Sequence, residues 1–130
     1  LYFMNKWGKV FEEAFASGEL DFPIITGISP KDAFHERQLV CAAEVLRILE
    51  TEDRPLSLAD LSEIHVREDG NVHLYFSSLP VIRIKGNLLD KRMDDLKKVV
   101  DHLFNTGRMH LVRGINLNYQ DGAVVSFKKG

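Results

Sequence analysis

His65 and His73 sit symmetrically about the Glu68-Asp69-Gly70 segment, a spacing that makes them facing residues on two adjacent strands. Facing side chains of an antiparallel pair stand about 5 Å apart, close enough for two imidazoles to share a metal ion. A structural zinc site needs a fuller ligand set, and Glu63 is the one further candidate on that face. A solvated polar face is the better account of the pair. A small-ligand or metal-binding module on the His65/His73 face is the alternative reading of function. His35, His102 and His110 are scattered and lack ligand spacing. Cys41 falls at the edge of an apolar helical stripe, with no His or Asp placed to activate it, as a half-buried inert thiol would. Asp94 and Asp95 resemble a catalytic carboxylate pair, but Lys97 and Lys98 beside them point to ion pairing on an exposed helix face. Gly86-Asn87 precedes a helix and could hold an anion, which a lone glycine supports weakly. No nucleophile elbow, phosphate loop or dinucleotide fingerprint is present. No enzymatic activity and no cofactor are expected.

The elements that position these residues come from a chain of 130 residues, the length of one domain. Its 45% hydrophobic and 28% charged residues fit a packed core and exclude a disordered tail or a low-complexity linker. Lys plus Arg number 17 against 19 Asp plus Glu, so the basic excess of a nucleic-acid binder is missing. A single cysteine cannot form an internal disulfide. No apolar run approaches the roughly 18–20 residues that cross a bilayer. The abrupt opening on Leu1-Tyr2-Phe3 suggests a piece of something larger.

Three segments share one design: an alternating strand, a three-residue loop ending in glycine, and a second alternating strand. The loops are Lys6-Trp7-Gly8, Glu68-Asp69-Gly70 and Gln120-Asp121-Gly122. Such a loop favours glycine last, where φ is positive. A two-residue Asp69-Gly70 loop would mix Ile64 and Val66 with His73 and Tyr75. The three-residue loop instead puts Ile64, Val66, Val72, Leu74 and Phe76 on one face. The same logic at the C-terminus groups Ile115, Leu117 and Tyr119 with Ala123, Val125 and Phe127. Asn116, Asn118, Val124 and Ser126 then face the other way. Residues 81–85 read as another strand with Ile82 and Ile84 inward, and 22–27 as a short apolar strand or extended segment closed by Gly27.

Two helices complete the set. Ser29-Pro30-Lys31-Asp32 is a start signal for a helix running from about Phe34 to Glu50, with Leu39, Ala42, Ala43, Val45, Leu46 and Leu49 inward. The second opens at Asn87, closes at Thr106-Gly107 and buries Leu89, Met93, Leu96, Val100 and Leu103, broadened by Val99 and Phe104. One apolar stripe per helix and one apolar face per strand give an α+β fold. Both helices pack on one face of a mainly antiparallel sheet, in a single domain spanning residues 1–130. The last strand, Ala123 to Phe127, has one neighbour in its own hairpin and a free edge that can accept a strand from another chain. Lys128 and Lys129 beside it could equally keep that edge monomeric.

Phe22-Pro23-Ile24-Ile25-Thr26-Gly27 resembles the "LPVLTG" segment of the FtsQ/DivIB family of bacterial cell-division proteins. Ile115-Asn116-Leu117-Asn118-Tyr119-Gln120-Asp121-Gly122-Ala123-Val124-Val125 is similar to that family's "VDLRY-x-x-GAAV" ending, and the opening hairpin to its "LYYVDEDGKVF". The resemblance covers nearly the whole chain. It implies the β domain of a protein with one inner-membrane helix and a POTRA domain upstream, the β domain lying outside the membrane in the periplasm. It implies a non-enzymatic divisome scaffold for the septum that binds FtsB-like and FtsL-like partners. The FtsB contact would form by strand addition at Tyr119, Asp121, Ala123, Val124, Val125, Ser126 and Phe127. The family's Asp and Arg in "DLRY" are Asn116 and Asn118 here, and its terminal Trp is Phe127.

Overall fold

The computed structural model describes residues 2–4, 10–11, 23–28, 35–120 and 122–129. The strands are β1 (Tyr2–Met4), β2 (Val10–Phe11), β3 (Ile24–Thr26), β4 (Leu61–Val66), β5 (Asn71–Phe76), β6 (Val81–Lys85), β7 (Val112–Tyr119) and β8 (Gly122–Phe127). They form one sheet in the order β2-β1-β3-β4-β5-β6-β7-β8. Neighbours are antiparallel except β3 with β4 and β6 with β7. Parallel neighbours need a crossover. α1 (His35–Glu50) supplies it between β3 and β4, and α2 (Leu89–Asn105) between β6 and β7. The fold is α+β with a mainly antiparallel sheet, as the residue pattern requires.

Both helices cover the same face. Ala42, Val45, Leu46 and Leu49 of α1 join Leu89, Leu96 and Val100 of α2 in one buried cluster with Ile64, Leu74, Ile82, Ile84, Ile115 and Leu117 of the sheet. Burying one such Leu or Ile side chain stabilises the fold by about 1.5–3 kcal/mol. The β4–β5 register agrees with the apolar sorting: Ile64 faces Leu74, His65 faces His73 and Val66 faces Val72. The Arg67 N–H donates to Asn71 O at 2.9 Å, closing a three-residue loop whose Gly70 has φ +86°.

The C-terminal hairpin corrects the expected register. A loop of residues 120–122 would set Tyr119 opposite Ala123 and Ile115 opposite Phe127. Instead Tyr119 faces Gly122 and Ile115 faces Val125, with irregularities of β7 between Asn116 and Tyr119 and between Val112 and Gly114. Ile115, Leu117, Ala123 and Val125 keep their shared face because the slip there is by two residues, whereas Tyr119, opposite Gly122, leaves that face and both Tyr119 and Phe127 are exposed. Two details of α2 also differ. The chain enters it through a 3-10 turn, Gly86–Leu88, in which the Leu89 N–H donates to Gly86 O, so Asn87 is not the cap. Phe104 does not broaden the buried stripe but is 47% exposed, on the flank of the last turn. The loop residues 6–8, the start signal 29–32 and Phe22 lie outside the described residues.

Candidate functional site

The sheet ends on β8, which pairs with β7 on one side and has no strand on the other among the described residues. Backbone geometry fixes which amides meet that open edge. The Lys128 N–H donates to Leu111 O at 2.7 Å, across the pair formed by Val112 and Phe127. Successive residues of a strand turn their N–H groups to opposite sides, and β8 carries no extra residue in its register. Ser126 and Val124 therefore present their amides to β7. Val125 and Phe127 present theirs to the open edge.

Of the residues expected at a partner site, Tyr119, Val124 and Phe127 are 52%, 42% and 47% exposed. Ala123 and Val125 are half-buried against the core, and Ser126 is half-buried. Asp121 lies outside the described residues. The edge thus combines unpaired backbone donors with exposed apolar side chains. An extended peptide would use both.

One side chain absent from the expected set holds this edge in place. Arg92 of α2 reaches the β7–β8 turn, where Nη2 donates to Gly122 O at 2.8 Å and Nη1 to Gln120 O at 3.3 Å. Its Nε is buried without an aligned hydrogen bond, 3.3 Å from Asp95 Oδ2 in an ion pair. Asp95 is thereby ion-paired on the helix, as expected, although with Arg92 rather than a lysine; Lys97 pairs with Glu52 at 2.7 Å instead. The sequence signal was the acid three residues after an arginine one step off the apolar stripe.

The face of the sheet opposite the helices carries a continuous row. Thr26 faces His65, His65 faces His73, His73 faces Arg83, Arg83 faces Asn116, and Asn116 faces Val124. The His65 and His73 ring centroids are 5.8 Å apart. Thr26 Oγ1 donates its one proton to Glu63 Oε2 at 2.8 Å, so it accepts from His65 Nδ1–H, also at 2.8 Å. Burial, then the Arg83 and Arg67 charges, hold the His73 pKa below the ordinary histidine value. Those same guanidinium groups repel a cation. Among the described residues no three His, Cys, Asp or Glu side chains are grouped to hold a metal ion.

Two other features have structural roles. Cys41 is half-buried, and burial followed by the Glu44 charge pushes its thiol pKa up, which disfavours the thiolate. Asn116 and Asn118 are engaged within the chain: Asn116 Oδ1 accepts the Asn118 N–H at 2.9 Å, and Asn118 Oδ1 accepts the Lys85 N–H at 2.6 Å. Asn118 Nδ2 also donates to Asn71 Oδ1 at 2.6 Å. No helix among the described residues is long and apolar enough to cross a membrane.

The family model described as "Cell division protein FtsQ/DivIB, C-terminal" matches residues 1–126. The "Cell division protein FtsQ" of Geotalea daltonii is 26% identical over 130 residues, which is 96% of this chain and 46% of that protein. The chain thus spans about half the length of the curated relative it matches. With both helices and all of the sheet but its last residue inside the matched region, the chain belongs to the FtsQ/DivIB family of cell-division proteins.

Proposed function

We propose that the chain is a single β domain, non-enzymatic, that serves as a scaffold of the division machinery. It binds the extracytoplasmic segment of an FtsB-like protein by adding that segment as a strand beside β8, and an FtsL-like protein joins through the same assembly. The longer protein is anchored in the inner membrane by one helix, with a POTRA domain between that helix and this periplasmic domain. The supporting observation is the edge of β8, which has no strand beside it among the described residues, with the Val125 and Phe127 amides turned to that side and Tyr119, Val124 and Phe127 exposed.

The test is titration of the chain with the cognate FtsB-like extracytoplasmic fragment, read by amide hydrogen exchange. Strand addition protects the Val125 and Phe127 amides, while those of Val124 and Ser126 are protected with or without the fragment. Binding that leaves Val125 and Phe127 exchanging as before would place the partner elsewhere.

A further inference from the structure

We propose that Arg92 sets the register of β8 against β7, and with it the height at which a partner strand docks. The proposal deepens the strand-addition reading and rests on it only for the docking consequence.

Apolar patterning cannot choose this register. With Ile115 opposite Val125, as observed, or opposite Phe127, as a three-residue loop would give, Ile115, Leu117, Ala123 and Val125 share the same face. The two arrangements differ by a slide of two residues, about 7 Å along the strand. Something other than hydrophobic sorting must separate them.

The guanidinium of Arg92 is placed to do so. Its two Nη atoms hold Gln120 O and Gly122 O, carbonyls two residues apart that flank the turn. A planar fork fixes the direction as well as the position of both acceptors, which a single donor cannot do. Arg92 is itself fixed: its side chain is 14% exposed and Nε is ion-paired with Asp95. In the observed register the Lys128 N–H reaches Leu111 O, whereas the slid register would hand that N–H to Gly114 O. Arg92 is therefore a positioning residue, acting on the docking edge through the turn.

The close approach of the Ile115 and Val125 α-protons is a direct reporter of register, because the slid register would replace it with one between Ile115 and Phe127. The test compares the cross-strand nuclear Overhauser effects of Arg92→Gln and Arg92→Lys with those of the parent chain, with circular dichroism as the folding control. In Arg92→Gln the Ile115–Val125 cross-peak weakens and an Ile115–Phe127 cross-peak appears. Affinity for the cognate FtsB-like fragment falls with it. Arg92→Lys, which keeps the charge but reaches one carbonyl, lies between. If Arg92→Gln does not fold, the Arg92→Lys comparison decides, and a parental Ile115–Val125 cross-peak with no Ile115–Phe127 cross-peak there would overturn the proposal. The same parental pattern in a folded Arg92→Gln would overturn it too. If the parent chain fails to bind the fragment while the cross-peaks still change, the register role stands and the strand-addition reading falls.

Discussion

Cys41 Sγ occupies the space into which any side chain at Gly86 would project. The contact joins α1 to the turn that leads into α2, and the Gly86 N–H donates to Gly70 O at 3.0 Å on its other side. Gly86→Ala should therefore destabilise the fold by about 1–3 kcal/mol through overpacking. Cys41→Ala should cost less, and adding it to Gly86→Ala should restore part of the loss. A double-mutant cycle by urea denaturation checks this; strictly additive costs would mean the two residues do not share the space.

Gly70 makes a different demand. A β-carbon there meets nothing within 4 Å, so space is available and the cost of substitution lies in φ +86°. Gly70→Val should cost about 1–2 kcal/mol or more, and Gly70→Asn distinctly less, because Asn tolerates the left-handed region. Thermal unfolding of the two variants separates them. Equal losses would point to a lost contact rather than backbone strain.

The depressed pKa of His73 makes stability depend on pH. The neutral ring is favoured in the fold by burial first, then by Arg83, Arg67 and His65, with Asp69 opposing. The unfolded chain binds a proton at the ordinary histidine pKa of about 6.5, above the folded value, so unfolding takes up a proton in the interval between them. Stability from this group is present above that pKa and is lost as pH falls through the folded value. Urea denaturation between pH 5 and 7.5 (roughly the window of histidine titration) should show a shallower decline for His73→Gln than for the parent. An unchanged slope would assign the decline to other groups.

The β4–β5 hairpin was legible in the sequence because a shift of one residue would have put Ile64 and Val66 on one face with His73 and Tyr75, apart from Val72 and Leu74. The β7–β8 register was not, because a slip of two leaves Ile115, Leu117, Ala123 and Val125 on their face, and the turn contacts come from Arg92 on a helix. Phe104 illustrates a related limit. A helical wheel gives its angle beside Leu103 but cannot show that the flank of the last turn is left uncovered. The Thr26–His65 hydrogen bond was hidden for another reason. It needs β3 and β4 to lie side by side in parallel, and that pairing is created by the α1 crossover rather than by any local pattern. The open edge was only half readable: the pattern gave β8 one neighbour in its own hairpin, and the order of the sheet among the described residues supplied its place at the end.

The most direct measurement of the central claim is a pair of proline substitutions on β8. The Val125 N–H faces the open edge, so Val125→Pro removes a donor that no other described strand uses and places a ring where a partner strand would lie. The Val124 N–H faces β7, so Val124→Pro breaks a bond of the hairpin itself. Binding of the cognate FtsB-like fragment to each variant, with circular dichroism as the folding control, tells them apart. The account predicts that Val125→Pro keeps the fold and loses binding, whereas Val124→Pro chiefly loses stability. A folded Val125→Pro chain that binds the fragment with parental affinity would contradict strand addition at β8.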